Sequence, residues 1–200
     1  MRESIFERGG EIMSLKLYFV RHGQSEANLC ESFYDDREAE LTMFGKGQAM
    51  GAGIKLKEMN VSFTAIYCSP YERARSTCEI ALQSAGMKGR EVNYDERLVE
   101  RQFGGLFGKN ITHEQYVELY NYDSDLSEEM GVETLDVLEE RARSFIEELR
   151  TKYTVGNILV FSHGIFGLAV YTVLNGRPAS GSMYDLRLLK NCEIKIFDLK

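Results

Sequence analysis

No stretch of this sequence approaches the ~20 consecutive apolar residues that a membrane-spanning helix needs. Its four cysteines, Cys30, Cys68, Cys78 and Cys192, include no CxxC pair. They suggest neither a disulfide framework nor a zinc site and read as reduced cytosolic thiols. Basic residues are in deficit: the formal net charge is -7, which argues against a broad nucleic-acid-binding face. There is no internal repeat, low-complexity tract or long linker. No local motif supports a Ser–His or Cys–His nucleophile pair. These absences leave a cytoplasmic protein with no nucleic-acid or membrane partner expected and its oligomeric state open. Its 200 residues suit a single domain with a full core.

The first residues stand apart. Positions 1–12 are polar, mixed in charge and lack the apolar centre of a signal peptide. Met13 directly precedes the first apolar run, and Arg8-Gly9-Gly10 is what a purine-rich ribosome-binding sequence would encode. The expectation is an N-terminal extension over 1–12, a natural bacterial start at Met13, and one domain over 13–200.

Apolar runs and amphipathic segments then alternate, which implies an α/β fold with a mostly parallel sheet covered on both faces. Strands are expected at Leu15 to Val20, Ala65 to Cys68, Val92 to Tyr94, Ile158 to Phe161 and Glu193 to Phe197. Helices are expected over about 44–59, from Ser69-Pro70 to about 85, over 134–152 and from His163 to about 174. Ser69 suits an N-cap and Pro70 a first helical position. Positions of about 103–133, starting with a Gly-rich loop, read as an inserted cap, helical at first and then irregular.

Two of the three histidines end buried-strand-like runs in the same way. Leu15-Lys16-Leu17-Tyr18-Phe19-Val20 leads into Arg21-His22-Gly23, and Ile158-Leu159-Val160-Phe161 into Ser162-His163-Gly164. Open α/β sheets bind ligands beyond the carboxyl ends of their strands. Two imidazoles delivered there, one beside an arginine, suggest an anion site. Arg73, in the first turn of its helix, would add a second guanidinium at the positive end of a helix dipole; a solvated helix arginine is the ordinary alternative. His163, at a strand-to-helix junction, would add its own charge and helix N–H groups. Glu100, ahead of the Gly-rich loop, offers a carboxyl to protonate a leaving oxygen, although a lone loop glutamate is ordinarily a solvated charge. His113 sits among acidic and polar residues and reads as a surface residue. No cluster suited to a metal is evident.

The order of segments is distinctive. Arg21-His22-Gly23, Leu41-Thr42-x-x-Gly45-x-x-Gln48-Ala49, Ser69-Pro70-x-x-Arg73-Ala74-x-x-Thr77, Arg97-Leu98-x-Glu100 and Ser162-His163-Gly164 together resemble the histidine phosphatase superfamily, also called the phosphoglycerate mutase-like family. The resemblance covers about 15–197. It implies a three-layer α/β/α sandwich with a small inserted helical cap, and chemistry without a metal or cofactor on a small phosphorylated metabolite. It carries over His22 as the phosphorylated nucleophile, Arg21, Arg73 and His163 as phosphate ligands, and Glu100 as proton donor and acceptor. Asn28 and Gly164 complete the expected substrate-binding set. Physically, His22 must be neutral to attack phosphorus, so its other ring nitrogen is expected to donate to a backbone carbonyl. His163 works best as an imidazolium.

The segment from Arg97 to Leu106 is close to that of cofactor-dependent phosphoglycerate mutases, but those mutases hold a second anionic group with arginines in the cap. Here positions 110–140 contain no Lys or Arg and ten acidic residues, and the loop Ser32-Phe33-Tyr34-Asp35-Asp36 is acidic and aromatic. A polyanionic substrate would meet like charge, although Arg101 and Lys109 remain available for a second anion. Tyr116, Tyr120, Tyr122, Phe103 and Phe107 offer an aromatic wall for a leaving group, or simply pack the cap. The expectation is a metal-independent phosphomonoester hydrolase of the histidine acid type. A 2,3-bisphosphoglycerate-dependent mutase is the first alternative, and a non-catalytic phospholigand-binding protein the second.

Overall fold

The computed structural model describes residues 7–8, 11–12, 14–29, 37–106 and 108–199. Met13, Cys30, the loop at 32–36 and Phe107 lie outside the described residues. In chain order, β1 (Glu7–Arg8) and β2 (Glu11–Ile12) form a small antiparallel ladder. There follow β3 (Leu15–Arg21), α1 (Met43–Glu58), β4 (Ala65–Cys68), α2 (Glu72–Ser84) and β5 (Asn93–Tyr94). Two short helices, α3 (His113–Glu118) and α4 (Asp125–Glu129), precede α5 (Leu135–Lys152), β6 (Gly156–Ser162), α6 (Gly164–Asn175) and β7 (Ile194–Asp198).

The main sheet has the order β5-β4-β6-β3-β7. Its first four strands are parallel, and β7 runs antiparallel along β3. Side chains alternate across the sheet with the period of two that a strand imposes. Tyr18, Val20, Leu159 and Phe161 join one apolar cluster with residues of α1 and α2. Leu17, Phe19, Ile158 and Val160 join another with Leu138, Phe145, Phe166 and Ala169 of α5 and α6. Both faces of the central strands are therefore covered, which explains why their sequences are apolar throughout.

Register, more than packing, positions the site. Arg21 lies opposite Ser162 in the β3–β6 ladder and Cys68 opposite Phe161 in the β4–β6 ladder. Main-chain pairing runs one residue further at each strand: His22 N–H donates to Ser162 O at 2.9 Å, and Ser69 N–H to Phe161 O at 2.9 Å. His22, Ser69 and His163 thus emerge side by side.

Two local expectations change. Ser69 is not an N-cap: α2 starts at Glu72 with Tyr71 in the cap position, and the serine hydroxyl is taken by His163. The second half of the segment over 103–133 is not irregular throughout, because Asp125–Glu129 forms α4.

Candidate active site

His22 is buried at the end of β3, and its Nδ1 lies 2.7 Å from the carbonyl oxygen of Gly23. A carbonyl only accepts, so Nδ1 carries the proton and Nε2 keeps its lone pair. The ring of His163 stands 5.1 Å away, centroid to centroid. His163 Nε2 is 2.7 Å from Ser69 Oγ, while its Nδ1 is buried without a hydrogen-bond partner. Arg21 donates from Nη1 to Leu189 O, and its Nε is likewise buried and unpartnered. Arg73 is buried in the first turn of α2, its guanidinium 4.9 Å above the ring of Tyr71.

The loop after His22 is held by α1 and α2. Gly23 N–H donates to Thr77 Oγ1 at 2.9 Å, and Gln24 N–H to Gln48 Oε1 at 2.8 Å. Thr42 caps α1 through Gly45 N–H and bonds Gln24 Oε1. A Cβ on Gly45 would come within 1.9 Å of Gln24 O, so only glycine lets the helix start against this loop. The Thr-x-x-Gly-x-x-Gln spacing in α1 is thereby a positioning device.

Glu100 occupies the N-terminus of α6. Its carboxylate accepts from the N–H groups of Gly164, Ile165 and Phe166 at 3.0 to 3.2 Å, and from its neighbour Arg101 N–H at 3.0 Å. The backbone around it is fixed by Arg141 of α5, which donates to Arg97 O, Val99 O and Glu100 O.

Arg21, His22, Asn28, Arg73 and Glu100 line one cleft of about 270 Å³ with Ala27, Phe103, Tyr116, Tyr120, Ile165 and Leu188. Asn28 Oδ1 accepts from Ser25 N–H and Asn191 Nδ2. Gly164 adjoins: a Cβ there would sit 3.2 Å from Arg21 Cζ. All seven residues singled out in the sequence therefore converge. His113 is exposed on α3, as expected. Ser69, Tyr71, Thr77 and Arg141 are supporting residues that sequence reasoning gave no such role; Ser69 and Thr77 stand in the quoted motif, but nothing local identifies their partners.

Two expectations about charge need correction. Arg101 is not available to a substrate: it is fully buried, donating to Glu133 O, Leu119 O and Ser127 Oγ. Lys109 is exposed and does not line the cleft. Nor does the acidity of 110–140 face the cleft, where Glu100 is the only carboxylate among the described lining residues. Glu133 pairs with Arg141, and Asp136 and Glu139 with Arg177.

Burial, reinforced by the nearby Arg73 and Arg21 cations, holds the pKa of His22 well below the usual imidazole range. The same causes, with His22 added, depress His163. Protonation of His163 is therefore disfavoured by the surrounding burial and positive charge, and a bound dianion would supply the opposite charge that favours it. Unfolded histidines take up a proton near pH 6.5, whereas these two resist it when folded. Folding stability should thus fall as the pH drops below about 6.5. Glu193, held down to about 2 by Arg187, keeps its stabilising contribution across this range and loses it only as the pH falls below about 4.5. Denaturant midpoints between pH 7.5 and 5 test this, with the slope expected to flatten in a His22→Asn/His163→Asn variant; an unchanged slope would contradict it.

Fold and cleft together define a phosphoglycerate mutase-like α/β enzyme. The chain belongs to the histidine phosphatase superfamily, branch 1, whose model matches residues 17–200. It is 32% identical to a 2,3-bisphosphoglycerate-dependent phosphoglycerate mutase of Azorhizobium caulinodans over 178 residues, 86% of each chain. A Brucella ovis protein of the same name is 42% identical over 98 residues, 49% of this chain and 48% of that one. Among solved structures, mycobacterial glucosyl-3-phosphoglycerate phosphatase in complex with VO3 superposes with a TM-score of 0.74 at 21% identity, covering 90% of both chains. Phosphoglycerate mutase from Bacillus anthracis gives 0.73 at 18%, covering 92% of this chain and 87% of that one.

Proposed function

We propose that the chain is a metal-independent phosphomonoester hydrolase acting through a phosphohistidine on His22. Neutral Nε2 attacks phosphorus, and the ester oxygen leaves with a proton from Glu100. Water then attacks the phosphohistidine and gives its proton back to Glu100. Arg21, Arg73 and a His163 protonated against the bound dianion spread positive charge over the transferring oxygens. Glu100 donates after its carboxyl leaves the α6 amides, which then face the phosphoryl group. Asn28 and the Gly164 N–H complete the phosphate contacts.

The observation that carries hydrolysis over mutase chemistry is the burial of Arg101. With it withdrawn, Arg21 and Arg73 are the only Lys or Arg side chains among the described residues lining the cleft. They and the histidines are committed to one phosphoryl group. The remaining wall, Ala27, Phe103, Tyr116, Tyr120, Ile165 and Leu188, is apolar or aromatic and suits an uncharged leaving group better than a second phosphate. The mutase names of the relatives support the other reading, so the test is a direct comparison. Phosphate release from a panel of phosphorylated metabolites is expected to exceed interconversion of 2- and 3-phosphoglycerate with bisphosphoglycerate present. It should also survive EDTA and be inhibited by vanadate. Rapid interconversion with slow phosphate release would reverse the ranking.

A further inference from the structure

Helix α1 is apolar on two faces, and the fold uses only one. Gly45, Ala49, Ala52, Gly53 and Leu56 are buried against the domain. On the far side Met43 is 82% exposed, Phe44 65%, Met50 53% and Ile54 50%. Gly47 and Gly51 lie among them, and a Cβ on either would meet nothing within 4 Å. At 3.6 residues per turn these six positions form one stripe about 120° wide. An amphipathic helix at a protein surface normally turns its polar side outward, so a second apolar stripe facing away from the domain needs a partner.

We propose that a second copy of the chain covers this face, α1 packing antiparallel on α1 about a two-fold axis that passes between Gly47 and Met50. The patch is self-complementary, as a two-fold interface requires. In that register Met50 of each protomer fills the hollow at Gly47 of the other, and Met43 lies against Ile54. Lys57, exposed near the C-terminal end of the helix, then meets the exposed Glu40 that precedes its N-terminus, and the helix dipoles oppose favourably. The area agrees. From their exposures, the four large side chains present on the order of 450 Å² of apolar surface. A stable interface buries about 800 Å² per partner, somewhat over half of it apolar. The stripe supplies the apolar centre, and Lys46, Lys55, Lys57 and Glu58 supply the polar rim.

Sedimentation velocity of the full chain tests this. A dimer is expected at about 10–100 µM. Met50→Glu should make it monomeric with turnover intact, because Met50 touches neither the cleft nor the loop after His22. Gly47→Leu fits the open space of the monomer and fills the hollow needed by the partner, so it should weaken dimerisation at least about tenfold without lowering the melting temperature of the monomer. A Met43→Cys/Ile54→Cys variant should cross-link between chains on mild oxidation. A monomeric wild type across that range, or a dimer indifferent to Met50→Glu and Gly47→Leu, overturns the proposal. So does co-sedimentation of a monomer with anionic phospholipid vesicles, which would assign the face to lipid.

Discussion

His22→Ala should abolish the covalent phosphoenzyme and lower turnover by about 10⁴-fold or more. The size follows from its position. Removing the ring takes away the proposed nucleophile. His163, 5.1 Å away, has its Nε2 engaged with Ser69. Burial and the two nearby arginines lower the pKa of His22, which favours the neutral ring that attack requires. Denatured enzyme quenched after mixing with labelled substrate should carry phosphate that is labile in acid and persistent in alkali. The label should map to the peptide containing His22. Label on a serine or aspartate peptide, or near-normal turnover by the alanine variant, would remove His22 from the chemistry. The fold should survive, since the β3–β6 ladder depends on backbone pairing rather than on the imidazole.

Much of this site was legible in the sequence because its geometry rests on strand register. Two runs of similar length, each ending in His-Gly, belong to adjacent parallel strands, and parallel neighbours deliver their carboxyl ends to one edge. Arg73 was legible because Ser-Pro limits where α2 begins. What escaped depends on contacts between distant segments. Ser69 looks like a cap, but a histidine 94 residues away takes its hydroxyl. Arg101 looks like a substrate cation because charged residues are ordinarily exposed; three acceptors from the 119–133 segment enclose it instead. The acidity of the cap looked directed at the substrate because composition has no direction, whereas Arg141 and Arg177 draw several of those carboxylates elsewhere. The reversed direction of β7 left no trace in the strand's own residues, since antiparallel and parallel edge strands share the same pattern.

Glu100→Gln should slow alkyl phosphates far more than nitrophenyl phosphate, and the contrast separates the capping of α6 from the proposed proton transfer. The carboxylate accepts from three α6 amides and so acts as a helix cap. As a proton donor it must leave them. Glutamine keeps one oxygen to accept from the amides but cannot deliver a proton. If capping were its whole contribution, both substrates would lose rate equally, through a slightly displaced α6. If it protonates the departing oxygen, the loss depends on that oxygen. An alkoxide leaves poorly and needs the proton in the transition state, so the full effect of general acid catalysis, about 10²- to 10⁴-fold, should appear. A nitrophenolate is already a stable anion and should lose much less. The measurement belongs at the phosphoenzyme-forming step, by rapid quench, because the proposed mechanism also has Glu100 activate the attacking water and steady-state rates would mix the two. Thermal denaturation of the same variant reads the capping role independently. Equal burst-phase slowing of both substrates would leave Glu100 as a cap alone and require the proton to come from another group in the cleft, with the Tyr120 hydroxyl the next to test.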